Sequence, residues 1–245
     1  VMGTGTVITA TNGSITLKPN AGADSATFYT LSAKDKIDLQ GATITANNNL
    51  SANTIKIIGT GDVWTKGTVS GSTASGSVGD GSVTMQSDTA LKMENAVSGT
   101  SVTLDGATVT TTIGDATITA TNGTINIGTT AGATHVGTAT LTGALNATGA
   151  ITVNADNLTF ESESTVTTGT DTEDNNITLT TKNLNAKGTI TSGKGSVIVT
   201  GAEEGAILKG VSAYDYVSVS GGTVGNITLG GEIITNESGT ANANG

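Results

Sequence analysis

The sequence predicts an all-β fold, a parallel β-helix of about 11 irregular coils of roughly 20 residues each. Three observations carry that expectation. A ten-residue stretch is written twice, a short strand pattern returns at a coarse period, and the composition is too poor in aromatics for a conventional core.

The repeated stretch is I-T-A-T-N-G-S-I-T-L, from Ile8 to Leu17. Its near copy, I-T-A-T-N-G-T-I-N-I, runs from Ile118 to Ile127, with seven of ten positions identical. The core of the stretch is a small residue, an aliphatic, a polar residue and another aliphatic. That core recurs in copies ending at Leu17, Leu39, Ile57, Met85, Leu104, Ile127, Val153, Leu179, Val199, Val219 and Leu229. From Ile15 to Val217 the first aliphatic advances in uneven steps of roughly 20 residues, and the last step, to Ile227, is only about half of that. Such a period with irregular insertions indicates a solenoid.

Alternation of aliphatic and polar residues is the two-residue period of a strand, with the aliphatics on one face. Thr, Val and Ile favour extended backbone because they branch at Cβ. Each strand is three to five residues long and ends at Gly or Asn, which tolerate the positive φ of tight corners. Asn12-Gly13 and Asn122-Gly123 read as such corners, bends of a coil rather than hairpins. A second pattern fills the gaps: G-A-T-I-T at 41–45, G-A-T-V-T at 106–110 and D-A-T-I-T at 115–119. Two or three strands per coil, stacked at about 4.8 Å, give a parallel β-helix in a rod about 50 Å long. The helix domain is expected over 1–239, with a linker-like tail at 240–245.

Composition fits this reading. The 245 residues include two Phe, three Tyr, one Trp and no Arg. A thin core of Ile, Val, Leu and Ala is therefore expected. The net charge of −10 argues against a nucleic-acid partner. The absence of cysteine excludes disulfides and thiolate sites. No run approaches eighteen apolar residues, and the opening V-M-G-T-G-T reads as a cut within a longer or processed protein. Tandem immunoglobulin-like domains are the competing fold. The scarcity of aromatics and the short period argue against them.

N-L-S-A-N-T-I-K-I at 49–57, A-L-N-A-T-G-A-I-T-V at 144–153 and N-L-N-A-K-G-T-I-T at 183–191 resemble the repeats of filamentous haemagglutinin-type exoproteins. S-G-G-T-V-G-N-I-T-L-G-G at 220–231 is similar to autotransporter passenger repeats. The resemblance implies a right-handed β-helix outside a bacterium, serving as adhesin, stalk or fibre. It also implies type V secretion through an outer-membrane partner.

The candidate sites are few. His135, the only histidine, has hydroxyls around it and no nearby acid, so a loop or solvent-facing role is expected instead of a Ser-His-Asp set. Hydrolases need paired carboxylates, and lyases acting on acidic sugars generally use arginine. The chain is therefore expected not to be an enzyme, with a polysaccharide-active enzyme as the minor alternative. Asp171, Glu173 and Asp174 offer oxygen ligands of the kind Ca²⁺ takes. Their spacing does not match a twelve-residue calcium loop, and a solvated acidic loop is favoured, as for Glu203-Glu204. No cofactor motif is present. Sequons begin at Asn12, Asn49, Asn122, Asn146, Asn157, Asn176, Asn226 and Asn236, a number the composition alone accounts for. The pairs Thr108/Thr110 and Thr117/Thr119 match a motif of ice-binding β-helices, but the uneven steps argue against a long array. Trp64 is the one large aromatic placed to meet a sugar or a partner, or equally to plug a coil.

The expected function is that of an extracellular bacterial surface fibre, adhesin or biofilm-matrix segment, able to join copies of itself head to tail. A glycan-binding module is the alternative. The expected partners are further copies of the chain and surface glycans.

Overall fold

A computed structural model of the chain describes residues 5–18, 25–72, 80–111, 116–129, 136–161, 164–170, 175–220 and 226–235. The described residues form 29 strands and no helix, and every strand pairing is parallel. The chain winds as a three-sided solenoid. Face one stacks ten strands, from Ile15–Leu17 to Val217–Val219. Face two runs from Ala26–Phe28 to Ile227–Leu229, and face three from Val7–Ala10 to Ile233–Thr235. Two nine-residue strands, Asn183–Thr191 and Gly205–Ala213, bend from face two into face three and join them as one sheet.

Ten strands on face one make nine coil-to-coil steps, so the solenoid has about nine turns where the sequence suggested 11. Ten copies of the strand pattern lie on face one, but the eleventh, ending at Leu229, lies on face two and pairs with Ala206–Leu208. The anomalously short last step is the distance from one face to the next, not a coil. Likewise the second pattern divides between faces: Ile44 and Val109 are on face two, Ile118 on face three. The repeated ten-residue stretch is a face-three strand, a corner and a face-one strand.

Parallel pairing sets like residues above like. Ile37, Ile55, Val83, Val102, Ile125, Ile151 and Ile177 form one continuous inner column. Each is fully buried. The three faces fill the interior unequally. Face one gives two large aliphatics per strand, such as Ile55 and Ile57. Face three gives a large residue followed by a small one: Leu31/Ala33, Leu50/Ala52, Val69/Gly71, Val97/Gly99. The chain turns into face one directly after the small position, which leaves little room there. A Cβ on Gly71 would lie 2.9 Å from Val83 Cγ2. Each large side chain contributes about 1.5–3 kcal/mol on full burial, and the contributions accumulate coil by coil.

Corners supply the remaining bonds. Ser87 Oγ donates to Gly61 O at 2.8 Å, and Ser164 Oγ to Leu141 O at 2.7 Å. Thr168 and Ser192 hydroxyls both donate to Asn175 O at 2.9 Å. These buried hydroxyls occupy inward positions and are satisfied by corner carbonyls, Leu141 O accepting from Glu161 N as well. Asn12-Gly13 and Asn122-Gly123 are corners, as expected, but not for the expected reason. Neither glycine has positive φ. At Gly123 the constraint is close approach, since a Cβ would meet Ser101 Oγ and lie 3.0 Å from Thr100 O. Positive φ is needed instead at Gly128 (φ 70), where the chain leaves face one. The tail at 240–245 lies outside the described residues.

Mid-stack, Ile127→Ala is expected to cost about 2–5 kcal/mol, and the outward Thr103→Ala to stay within about 0.5 kcal/mol. Gly128→Ala combines a strained φ with a Cβ driven into Asn154 O, and should destabilise at least as much as Ile127→Ala. Urea midpoints with hydrogen exchange by coil would check this. Equal effects at Ile127 and Thr103 would contradict the inward and outward assignment.

Candidate functional site

Outward residues are aligned as strictly as inward ones. On face three a file of small polar residues runs Thr9, Ser32, Ser51, Ser70, Ser98, Thr119, Asn146, Thr167, Thr191, Ser212 and ends on the exposed Ile234. Among the described residues, no position of this file carries a charge; Lys187 and Lys209 stand at the bends where the two long strands enter this face. The uneven sequence steps therefore do not interrupt the arrays, contrary to the expectation from spacing. The differences in length fall between strands in the sequence, and the strands keep register. Thr108/Thr110 and Thr117/Thr119 are on different faces, two and three, and so are not rungs of one array.

Face two carries the exception to this plain surface. Its outward file reads Thr27, Thr45, Trp64, Lys92, Thr110, Thr140, Thr159, Asn185, Ile207, Thr228. Trp64 does not plug a coil. It lies on the outer side of Val63–Thr65 and is half-buried. Lys66 Nζ sits 4.1 Å from the ring centroid and Lys92 Nζ 5.9 Å, a pair of cation–π contacts. The indole Nε1 is buried with no hydrogen-bond partner. A buried indole N–H usually finds one. The ring is thus positioned by two lysines and by packing.

A charged cluster that sequence reasoning missed lies on face one. Asp38 points outward yet is only 6 % exposed. Lys36 Nζ is 3.0 Å from Asp38 Oδ2, Lys18 Nζ 3.8 Å, and Gln40 Nε2 donates to Asp38 Oδ1 at 3.2 Å. Burial opposes the charge on Asp38. The hydrogen bonds from Lys36 and Gln40, with the charges of Lys36 and Lys18, outweigh it and hold the carboxyl below the usual range. Lys36, Asp38 and Gln40 alternate along one strand, so period two alone would have placed them together. At a corner, Asp80 Oδ1 accepts from Ser82 Oγ at 2.6 Å and Ser82 N at 3.0 Å, which lower its carboxyl pKa against the effect of burial. Thr54 Oγ1 donates to the same oxygen at 3.2 Å, fastening this corner to the preceding coil.

The sequon asparagines divide by their bonding. Asn12 and Asn122 are exposed at equivalent corners, and Asn226 is exposed beside Ile227–Leu229. Asn49 Oδ1 accepts from Thr68 N at 3.0 Å, and Asn176 Oδ1 from Ser196 N at 2.7 Å. Asn157 Nδ2 donates to Gly137 O at 3.4 Å, and Asn146 is half-buried in the face-three file. Glu203 and Glu204 are exposed on a corner. His135, Asp171, Glu173, Asp174 and Asn236 lie outside the described residues.

Set against protein-family models, curated proteins and solved structures, the chain matches none. Its class therefore rests on the architecture itself: a parallel β-solenoid repeat protein.

Asp38→Asn should lower the urea midpoint at neutral pH. A lowered native pKa stabilises above the unfolded carboxylate value of about 3.9, and that contribution disappears as pH falls through the native value. The two midpoints should converge as pH falls below the unfolded value and through the native one. A gap of constant size across that range would mean that the charge on Asp38 contributes nothing.

Proposed function

We infer that this chain is a structural segment of an extracellular bacterial surface protein, a stalk, adhesin or fibre. The observation that carries the reading is the uninterrupted three-faced stack, in which coils are paired from Val7–Ala10 through to Ile233–Thr235. Such a stack is stiff, extends by adding coils, and presents largely polar faces, with exposed large aliphatics among the described residues confined to Val7 in the first coil and to Ile207, Leu229 and Ile234 in the last two. The likeness of 49–57, 144–153 and 183–191 to filamentous haemagglutinin-type repeats supports placement outside a bacterium, with type V export through an outer-membrane partner. Copies join head to tail in this reading. The inner pair Ile233/Thr235 repeats the large-then-small rule of Ile8/Ala10, so a second copy continues the same columns. A contact of that kind is heterologous and runs on as a filament. The role is architectural and not enzymatic.

A glycan-binding role is the second reading, favoured by the placement of Trp64 in a file of hydroxyls.

Negative-stain electron microscopy of the purified chain over a concentration series, with and without Ca²⁺, should show rods of about 4.8 Å per coil that lengthen end to end. Globular particles would overturn the architectural reading, and rods of one length at every concentration would overturn the head-to-tail joint. Antibody labelling of intact source cells tests location: signal seen only after lysis would exclude a surface role.

A further inference from the structure

We propose that Trp64, Lys66 and Lys92 form a binding site for a carboxylated polysaccharide lying along face two. Two of the ten lysines of a chain with net charge −10 converge on the single tryptophan. They do so on a file where the outward neighbours in both directions are threonines: Thr45 before Trp64 and Thr110 after Lys92. Each rung advances about 4.8 Å along the axis, of the order of one sugar unit of an extended chain. Hydroxyls would meet sugar hydroxyls on each side, and the ammonium groups would meet carboxylates at the centre.

The state of the ring favours a ligand. Lys66 Nζ now lies over the aromatic surface at 4.1 Å. Moving it onto a carboxylate would free that surface for the C–H face of a pyranose ring. The indole N–H has no acceptor to give up in the process, because Nε1 is unpartnered. A sugar oxygen reaching the shifted ring would supply one.

The acids nearest in sequence are Asp62 and Glu94. Asp62 Oδ1 is engaged by Thr89 Oγ1 at 2.5 Å and Ala90 N at 3.2 Å. Glu94 is on the corner after Lys92, where its backbone N–H donates to Thr65 O at 2.9 Å. Both reduce the local positive charge, so a polyanion should be recognised through the ring and the lysines together and not by charge alone.

The site rests on the glycan-binding reading above, and its test is separate from the microscopy. The full chain is titrated with polygalacturonate while the emission of Trp64, the sole tryptophan, is followed. A saturable change that weakens with salt is expected. Lys66→Gln with Lys92→Gln should weaken binding about tenfold, and Trp64→Phe, followed by co-sedimentation, should weaken it by a comparable factor. Unchanged circular dichroism would show that the variants are folded. Dextran should give no response. A silent titration, or undiminished binding by the double-lysine variant, would overturn the site. An equal response to polyglutamate would mean a non-selective anion patch and would overturn the sugar assignment. Rods that bind polygalacturonate but do not lengthen would refute self-joining and leave the site standing. Lengthening rods with a silent titration would do the reverse.

Discussion

In-register parallel pairing between successive coils is the constraint on which the rest of the structure depends. Each strand must place its inward residue directly over the one below, and a slip of one residue would turn the aliphatic columns outward. The chain meets this condition although its coils differ in length. The coil from Ile37 to Ile55 is much shorter than the coil from Ile55 to Val83, yet both pairs are in register. The difference in length lies between strands in the sequence and does not disturb the columns. Corners in turn carry the carbonyls that satisfy the buried hydroxyls, and most of the charged residues.

The same constraint explains the surface. Because outward residues are stacked as strictly as inward ones, any preference at one outward position is displayed as a file. Face three displays an uncharged file of small polar residues, mostly hydroxyls, up to Ser212. Face two displays mainly threonines, interrupted by Trp64 and Lys92 in the middle and by Asn185 and Ile207 towards the last coils. Face one displays the Asp38 cluster, where opposite charges share one strand and its neighbour. A single substitution in such a file alters one rung and leaves the geometry of the others in place.

Much of this was legible in the sequence, for a physical reason. Strand type, inward faces and coil corners follow from period two and from β-branching, which act locally. Coil number came out slightly high because it was taken from chain length divided by period; the pattern ending at Leu229 could not correct it, being chemically the same as those on face one and marked as a different face only by its closeness to the copy ending at Val219. The corner glycines were assigned a positive φ that only other glycines adopt, because close approach to a neighbouring coil is not a local property. The partner of Trp64 was within reach: the coil step that carries Ile55 to Val83 also carries Trp64 to Lys92. The unpartnered Nε1 was not legible, since it depends on how the ring lies.

The direction of the coil-to-coil hydrogen bonds has a mechanical consequence. They run along the rod axis, so tension applied at one chain end peels the outermost coil bond by bond, while each inner coil shares the same force over the strands of all three faces. Such a rod yields by unspooling, one turn after another, not by rupture at a single plane. A turn of the length between Ile177 and Val197 occupies about 4.8 Å of rod. Pulled straight, it supplies roughly 70 Å of thread. A tether built this way lengthens many-fold under load, and every turn still wound is reserve length.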